Sequence, residues 1–131
     1  MAAKWGIKLR TEFGNRLNGL NNQFLYPNEA ICSKNGYYFL IYQPDGNLVI
    51  YERLKEGRVE HWSTKTSGKP AYQAIMQDDG NFVIYGNKDL KTSRIWASES
   101  RGNPKTFLQL EDRGNLVIYN NETPIWQSGP Q

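Results

Sequence analysis

Apolar and polar positions alternate along this chain in three phased copies. Gln43-Pro-Asp45-Gly-Asn47-Leu-Val49-Ile-Tyr51 returns as Gln77-Asp-Asp79-Gly-Asn81-Phe-Val83-Ile-Tyr85, and again as Glu111-Asp-Arg113-Gly-Asn115-Leu-Val117-Ile-Tyr119. Gln43 to Gln77 and Gln77 to Glu111 are each 34 positions. An apolar run leads into every copy: Tyr38 to Tyr42, Ala71 to Met76, Phe107 to Leu110. Asp-Gly between apolar runs predicts a hairpin, because glycine accepts positive φ without a Cβ clash. Arg113 replaces the aspartate in the third copy, yet Gly114 keeps its place. Beyond each turn, β-branched and aromatic residues favour strand. Side chains there alternate faces with period two. Asn47, Val49 and Tyr51 therefore share one face, and Leu48 and Ile50 take the other; the Leu/Phe and Ile face is the predicted core.

A tryptophan closes each unit: Trp62, Trp96 and Trp126. It stands 11 residues after Tyr51 and Tyr85 but 7 after Tyr119, a shortening that suits a variable outer loop. Gly68-Lys-Pro70 and Gly102-Asn-Pro104 mark the joins. Helical tetratricopeptide repeats share the 34-residue period. The Asp-Gly turns and the missing i, i+3, i+4 pattern argue against helices. Residues 1 to 36 hold no copy and are expected to complete the first unit as turns and short strands, with Trp5 as an apolar anchor. The expectation is an all-β chain with threefold internal symmetry, a single domain over residues 1–131.

Composition narrows the function. The 16 Lys and Arg against 13 Asp and Glu give a net charge of only +3, scattered along the chain, which disfavours nucleic acid as a partner. Cys32 stands alone, so no intrachain disulfide is possible, and a small buried apolar role is expected for it. Residues 1–10 lack an apolar signal core, and no stretch has the apolar length of a membrane span. The expectation is a cytoplasmic protein, or one secreted without a classical signal peptide, with no membrane insertion. The sequon Asn121-Glu-Thr123, followed by Pro124, is read as chance.

Gln, Asp, Asn and Tyr at fixed offsets supply an amide, a carboxylate, a second amide and a phenol. Such a set suits a sugar, whose hydroxyls both donate and accept. Turn chemistry alone explains Asp-Gly-Asn once; it does not explain why Gln and Tyr flank the turn identically twice.

The spacing Gln-x-Asp-x-Asn-x-Val-x-Tyr resembles that of the monocot mannose-binding, or bulb-type, lectin family. Residues 43–51 and 77–85 match all five positions; residues 111–119 match only Asn115, Val117 and Tyr119. The resemblance implies a β-prism II of three four-stranded antiparallel sheets, with Trp62, Trp96 and Trp126 packed at a pseudo-threefold axis. It also implies sugar binding without a metal or other cofactor. Asp45 and Asn47 would then bind the axial 2-hydroxyl of mannose, Gln43 the 3-hydroxyl and Tyr51 the 4-hydroxyl, while Val49 would touch ring carbons. Gln77, Asp79, Asn81, Val83 and Tyr85 would repeat those roles. Dimers formed by exchanging C-terminal strands, here Asn121 to Gln131, are a further implication.

The chain departs from the pattern at Glu111 and Arg113, so the third site is expected to be inactive or altered. Gly46 and the lone Cys32 also exclude the disulfide of many plant members, and a leaderless member is expected. The expected function is metal-independent recognition of mannose-containing glycans at two sites. A β-prism that instead docks a protein, such as a cytoskeletal one, is the alternative. Sugar stacking on exposed tryptophan faces is a third idea. Catalysis is not expected. His61 is the only histidine and sits beside Trp62, where a partly buried structural role is expected. No zinc cluster, phosphate loop or nucleophile elbow is present. Asp45 and Asp79, on different sheets, are too far apart to work as a glycosidase pair, which needs about 5–10 Å.

Overall fold

The structure, a computed structural model, describes residues 5–129. The strands are β1 (Lys8–Leu9), β2 (Arg16–Asn18), β3 (Phe24–Leu25), β4 (Glu29–Cys32), β5 (Tyr38–Tyr42), β6 (Leu48–Arg53), β7 (Arg58–Ser63), β8 (Gln73–Met76), β9 (Phe82–Tyr85), β10 (Arg94–Ala97), β11 (Thr106–Leu110), β12 (Leu116–Asn120) and β13 (Thr123–Gln127). A 3-10 turn covers Thr11–Phe13. No helix among the described residues is long and apolar enough to cross a membrane.

Each repeat builds a three-stranded antiparallel meander: β5-β6-β7, β8-β9-β10 and β11-β12-β13. The segment before the first repeat does not simply complete the first unit. It lends one strand to every sheet: β4 pairs with β5, β3 with β8, and β2 with β11. A meander's first strand has a free edge, and unpaired backbone groups there cost free energy unless covered. One continuous stretch covers all three edges. The first sheet has five strands rather than four, because β1 adds to β4 in parallel. Lys8 N–H donates to Asn28 O at 2.8 Å, Arg10 N–H donates to Ala30 O at 2.8 Å, and Arg10 Nη1 pairs with Glu29 at 2.8 Å. Trp5 packs edge-on against Phe39, in keeping with an apolar anchor.

The period-two split holds in all three repeats. Leu48, Ile50, Phe82, Ile84, Leu116 and Ile118 are fully buried in one core that also takes residues from β2, β3, β4, β5, β8 and β11. Trp62, Trp96 and Trp126 meet edge to face, with centroids 6.1, 5.9 and 5.8 Å apart. Each such pair contributes about 0.5–1.5 kcal/mol beyond the area it buries. These rings are half-buried, and they pack against the core and one another. A β-bulge precedes each tryptophan, between Ile and Tyr of the facing strand. The extra residue shifts the alternation by one and turns the indole inward. The first bulge places His61 outside. It is exposed, against the expectation of partial burial, and bonds Glu52 at 2.7 Å. Cys32 is half-buried rather than enclosed, and burial pushes its thiol pKa up. β13 pairs with β12 of its own chain, so exchange is not needed to fill that edge; Pro130 and Gln131 of the tail lie outside the described residues.

The first two turn glycines meet the join that follows their own unit, and the third meets the first unit. A Cβ on Gly46 would lie 2.2 Å from the Lys69 carbonyl oxygen, and one on Gly80 would lie 2.4 Å from that of Asn103. On Gly114 it would lie 2.6 Å from the Tyr38 ring, so the third turn closes against the first unit. Asn35 reinforces that closure: its N–H donates to Asp112 Oδ1 and its Nδ2 to Asp112 O, both at 2.9 Å. Gly57 also has positive φ, +82° against +94° at Gly46, but nothing stands within 4 Å of its Cβ position. Gly57→Ala should therefore cost about 1–2 kcal/mol from backbone strain alone. Gly46→Ala should add about 1–3 kcal/mol of overpacking. Urea unfolding of the two variants checks this, and equal losses would contradict it.

Candidate functional site

With Leu48 and Ile50 committed to the core, Asn47 and Tyr51 must project from the opposite face of β6, and the Asp-Gly turn brings Gln43 alongside them. Tyr51 donates its hydroxyl to Gln43 Oε1 at 2.6 Å. Gln43 Nε2 donates to Asp45 Oδ1 at 3.1 Å, and the Asn47 amide N–H donates to the same oxygen at 2.9 Å. The second copy repeats the cluster. Tyr85 donates to Gln77 Oε1 at 2.7 Å, Gln77 Nε2 to Asp79 Oδ2 at 3.4 Å, and the Asn81 N–H to Asp79 Oδ1 at 2.9 Å. In each copy the Tyr, Gln and Asp side chains are thus bonded in a row, and the asparagine joins them through its backbone N–H. Asp45 is exposed and Asp79 half-buried, so their carboxylates remain accessible.

The asparagines are held from behind by residues that the repeated motif does not include. Asn47 Oδ1 accepts the Thr66 amide at 3.1 Å and the Thr64 hydroxyl at 3.4 Å. Asn81 Oδ1 accepts the Ser100 amide at 3.2 Å and the Ser98 hydroxyl at 3.1 Å. Lys65 and Glu99, the residues between, have φ of +57° and +61°. With Oδ1 fixed this way, Nδ2 of each asparagine makes no hydrogen bond among the described residues; Asn47 is half-buried and Asn81 is 6% exposed. The sequence signal was present: a hydroxyl residue two and four positions after Trp62 and Trp96.

The third copy keeps the frame with a different polar interior. Glu111 Oε2 accepts Tyr119 at 2.5 Å and Gln109 Nε2 at 3.2 Å, and its Oε1 accepts Asn115 Nδ2 at 3.3 Å. Asn115 thereby spends one of the two Nδ2 donors that its counterparts leave free. Ser128 still receives the Leu116 N–H at 3.1 Å. The position matching Thr66 and Ser100 is Pro130, which lies outside the described residues and has no amide hydrogen to give. Arg113 is exposed.

Val49 is fully buried, and Val83 and Val117 are 2% exposed. Among the described residues no group of three or more His, Cys, Asp or Glu could hold a metal ion.

Burial alone would raise the Asp45 pKa. Bonds from the Asn47 amide, Gln43 and Ser67 outweigh it and hold the carboxyl below its ordinary value. Burial pushes the Tyr51 and Tyr85 phenols up, so both stay donors to their glutamines.

No family model and no curated protein matches the chain. Solved structures do. A lectin from Marasmius oreades shares 26% identity over 94% of this chain and 95% of that one, with a TM-score of 0.76. A monomeric monocot mannose-binding lectin from Gastrodia elata shares 34% identity over 90% of this chain and 99% of that one, with a TM-score of 0.72. This chain belongs to the monocot mannose-binding, or bulb-type, lectin family. The mannose-specific agglutinin from snowdrop (Galanthus nivalis) bulbs, solved in complex with methyl-α-D-mannoside, is a further relative, with 31% identity over 89% of this chain and 97% of that one and a TM-score of 0.65. The three-sheet architecture is the family's β-prism II.

In this bulb-type chain, the altered third copy carries its own titration. The hydrogen bond to Glu111, then burial, then the charge of Glu111 push the Tyr119 phenol up to about 12. A folded-state pKa above the ordinary 10.0 gives stability that is full below that value and is lost as pH rises through about 12. The tyrosinate absorbance difference between the wild type and Tyr119→Phe should titrate near that upper value, and a difference centred near the ordinary value would contradict it. Glu111→Gln should move the midpoint down.

Proposed function

We propose that this chain is a mannose-binding lectin acting through residues 43–51 and 77–85, without a metal, and that residues 111–119 form an altered third site. The observation that carries the reading is the duplicated polarity of the two clusters. In each, Tyr and Asn are oriented by Gln, Asp and the hydroxyl pair, and the carboxylate and the asparagine Nδ2 are left for a ligand. A carboxylate acceptor beside an amide donor suits one sugar hydroxyl that donates and accepts at once. The axial 2-hydroxyl of mannose is the group assigned to Asp45 with Asn47, and to Asp79 with Asn81. Gln43 and Gln77 take the 3-hydroxyl, and Tyr51 and Tyr85 the 4-hydroxyl through their oxygen lone pairs. A glucose-configured sugar leaves the Asp and Asn groups without that partner, a loss of about 1–3 kcal/mol where the groups are desolvated. In the third copy Asn115 Nδ2 already donates to Glu111 and Arg113 can only donate where Asp45 and Asp79 accept, so a hydroxyl finds no matching pair there.

Open sites of this kind bind weakly alone; a millimolar Kd is only about −4 kcal/mol. Two sites on separate sheets gain by avidity, about 10²–10⁴ where both engage one surface. On a mannose-rich glycan array, Asp45→Ala and Asp79→Ala should each lower binding at least about tenfold through lost avidity, and the double variant should abolish it. Binding retained by the double variant would overturn the assignment. Excess chelator should leave wild-type binding unchanged; loss of binding on chelation would refute metal independence.

A further inference from the structure

The two matching clusters differ in what stands beside them. The parallel strand β1 extends only the first sheet, and the residues leading into it border the first cluster. Trp5, Ile7 and Arg58 join Gln43, Asp45 and Tyr51 around one groove of about 380 Å³, within the usual range of about 300–1,000 Å³ for small-molecule sites. The Arg58 guanidinium lies 4.0 Å from the Tyr51 ring centroid and 4.9 Å from that of Trp5. It therefore ties the N-terminal segment to the tyrosine of the first cluster. Among the described residues the second sheet has no counterpart to β1. There the position 34 residues beyond Arg58 is Thr92, and Arg94, which pairs in register with Tyr85, is bonded to Glu99.

We infer that the first cluster is a two-sugar site, in which a neutral hexose linked to the bound mannose lies against Arg58 and Trp5, whereas the second cluster holds a single mannose. The inference rests on the mannose reading above. The groove is continuous with the first cluster through Gln43, Asp45 and Tyr51, so an occupant reaching Trp5 has to be an extension of whatever the cluster holds. Arg58 supplies N–H donors for hydroxyls or for the linking oxygen. The indole and Ile7 supply apolar surface for the C–H side of a ring. Charge favours a neutral occupant: the groove is lined by one cation, Arg58, and one carboxylate, Asp45.

The test isolates each site in the full chain. Asp79→Ala leaves the first site and Asp45→Ala the second, and each is titrated calorimetrically with methyl α-mannoside and a panel of α-linked mannobioses. The Asp79→Ala protein should bind at least one mannobiose about tenfold tighter than the monosaccharide, a difference of about 1.4 kcal/mol, and the Asp45→Ala protein should show a ratio near one. In the Asp79→Ala background, Trp5→Ala and Arg58→Ala should each bring the ratio close to one. Arg58 is exposed, so its variant answers the question even if loss of Trp5 disturbs the fold. A ratio of one in Asp79→Ala, or a ratio that neither substitution moves, overturns the two-sugar site while leaving mannose binding intact. Failure of both single-site proteins to bind any of these sugars defeats the mannose reading together with this one.

Discussion

The alternation of β6, β9 and β12 is the constraint from which the rest follows. Leu48 with Ile50, Phe82 with Ile84, and Leu116 with Ile118 meet in a single core, and a strand cannot put i and i+2 inside without putting i−1, i+1 and i+3 on the other face. The asparagine, valine and tyrosine of each copy are thus delivered to the outer face by the same residues that hold the sheets together. A one-residue slip would bury Asn47 and Tyr51 and expose Leu48 and Ile50, a penalty large enough to fix the register. Site geometry and core packing are one decision in this chain, made three times.

What varies among the copies is the polar layer laid over that decision. In the first two, hydroxyl residues from the loop after the tryptophan hold the asparagine from behind, so its amide group is oriented without help from the ligand. Pre-oriented groups lose less freedom when they bind. In the third copy the same asparagine turns to Glu111, and the carboxylate gathers Tyr119 and Gln109 as well. Two substitutions, Gln to Glu and Asp to Arg, convert an outward-facing set into one satisfied by its own members. The fold tolerates this because Gly114, Val117 and the buried Leu116 and Ile118 are untouched.

Much of this was legible in the amino-acid sequence, for reasons that can be named. The Asp-Gly turns and the period-two runs act locally, so they appear as pattern; the three tryptophans appear because threefold symmetry repeats them. What escaped was non-local or out of phase. Residues 16–18 and 24–25 show nothing that distinguishes a strand for the third or second sheet from one for the first, since their partners lie about 50–90 positions further on. The bulge before each tryptophan breaks the alternation it would be read from, so His61 looked half-buried and lies outside. Thr64, Thr66, Ser98 and Ser100 were visible as residues but carried no meaning until the asparagine they support had been placed in space.

The N-terminal segment that gives one strand to each sheet also decides what kind of object this chain is. In a stacked solenoid, units can be added or removed, because each touches only its neighbours. Here the edges of the second and third meanders are sealed by residues made long before them. During synthesis β2 and β3 leave the ribosome without partners, and β2 waits until β11 arrives. Closing such long loops before any contact rewards it slows folding. A three-copy sequence that looks modular is therefore a ring with a fixed number of members: a copy cannot be dropped or inserted without stranding a piece of the opening segment.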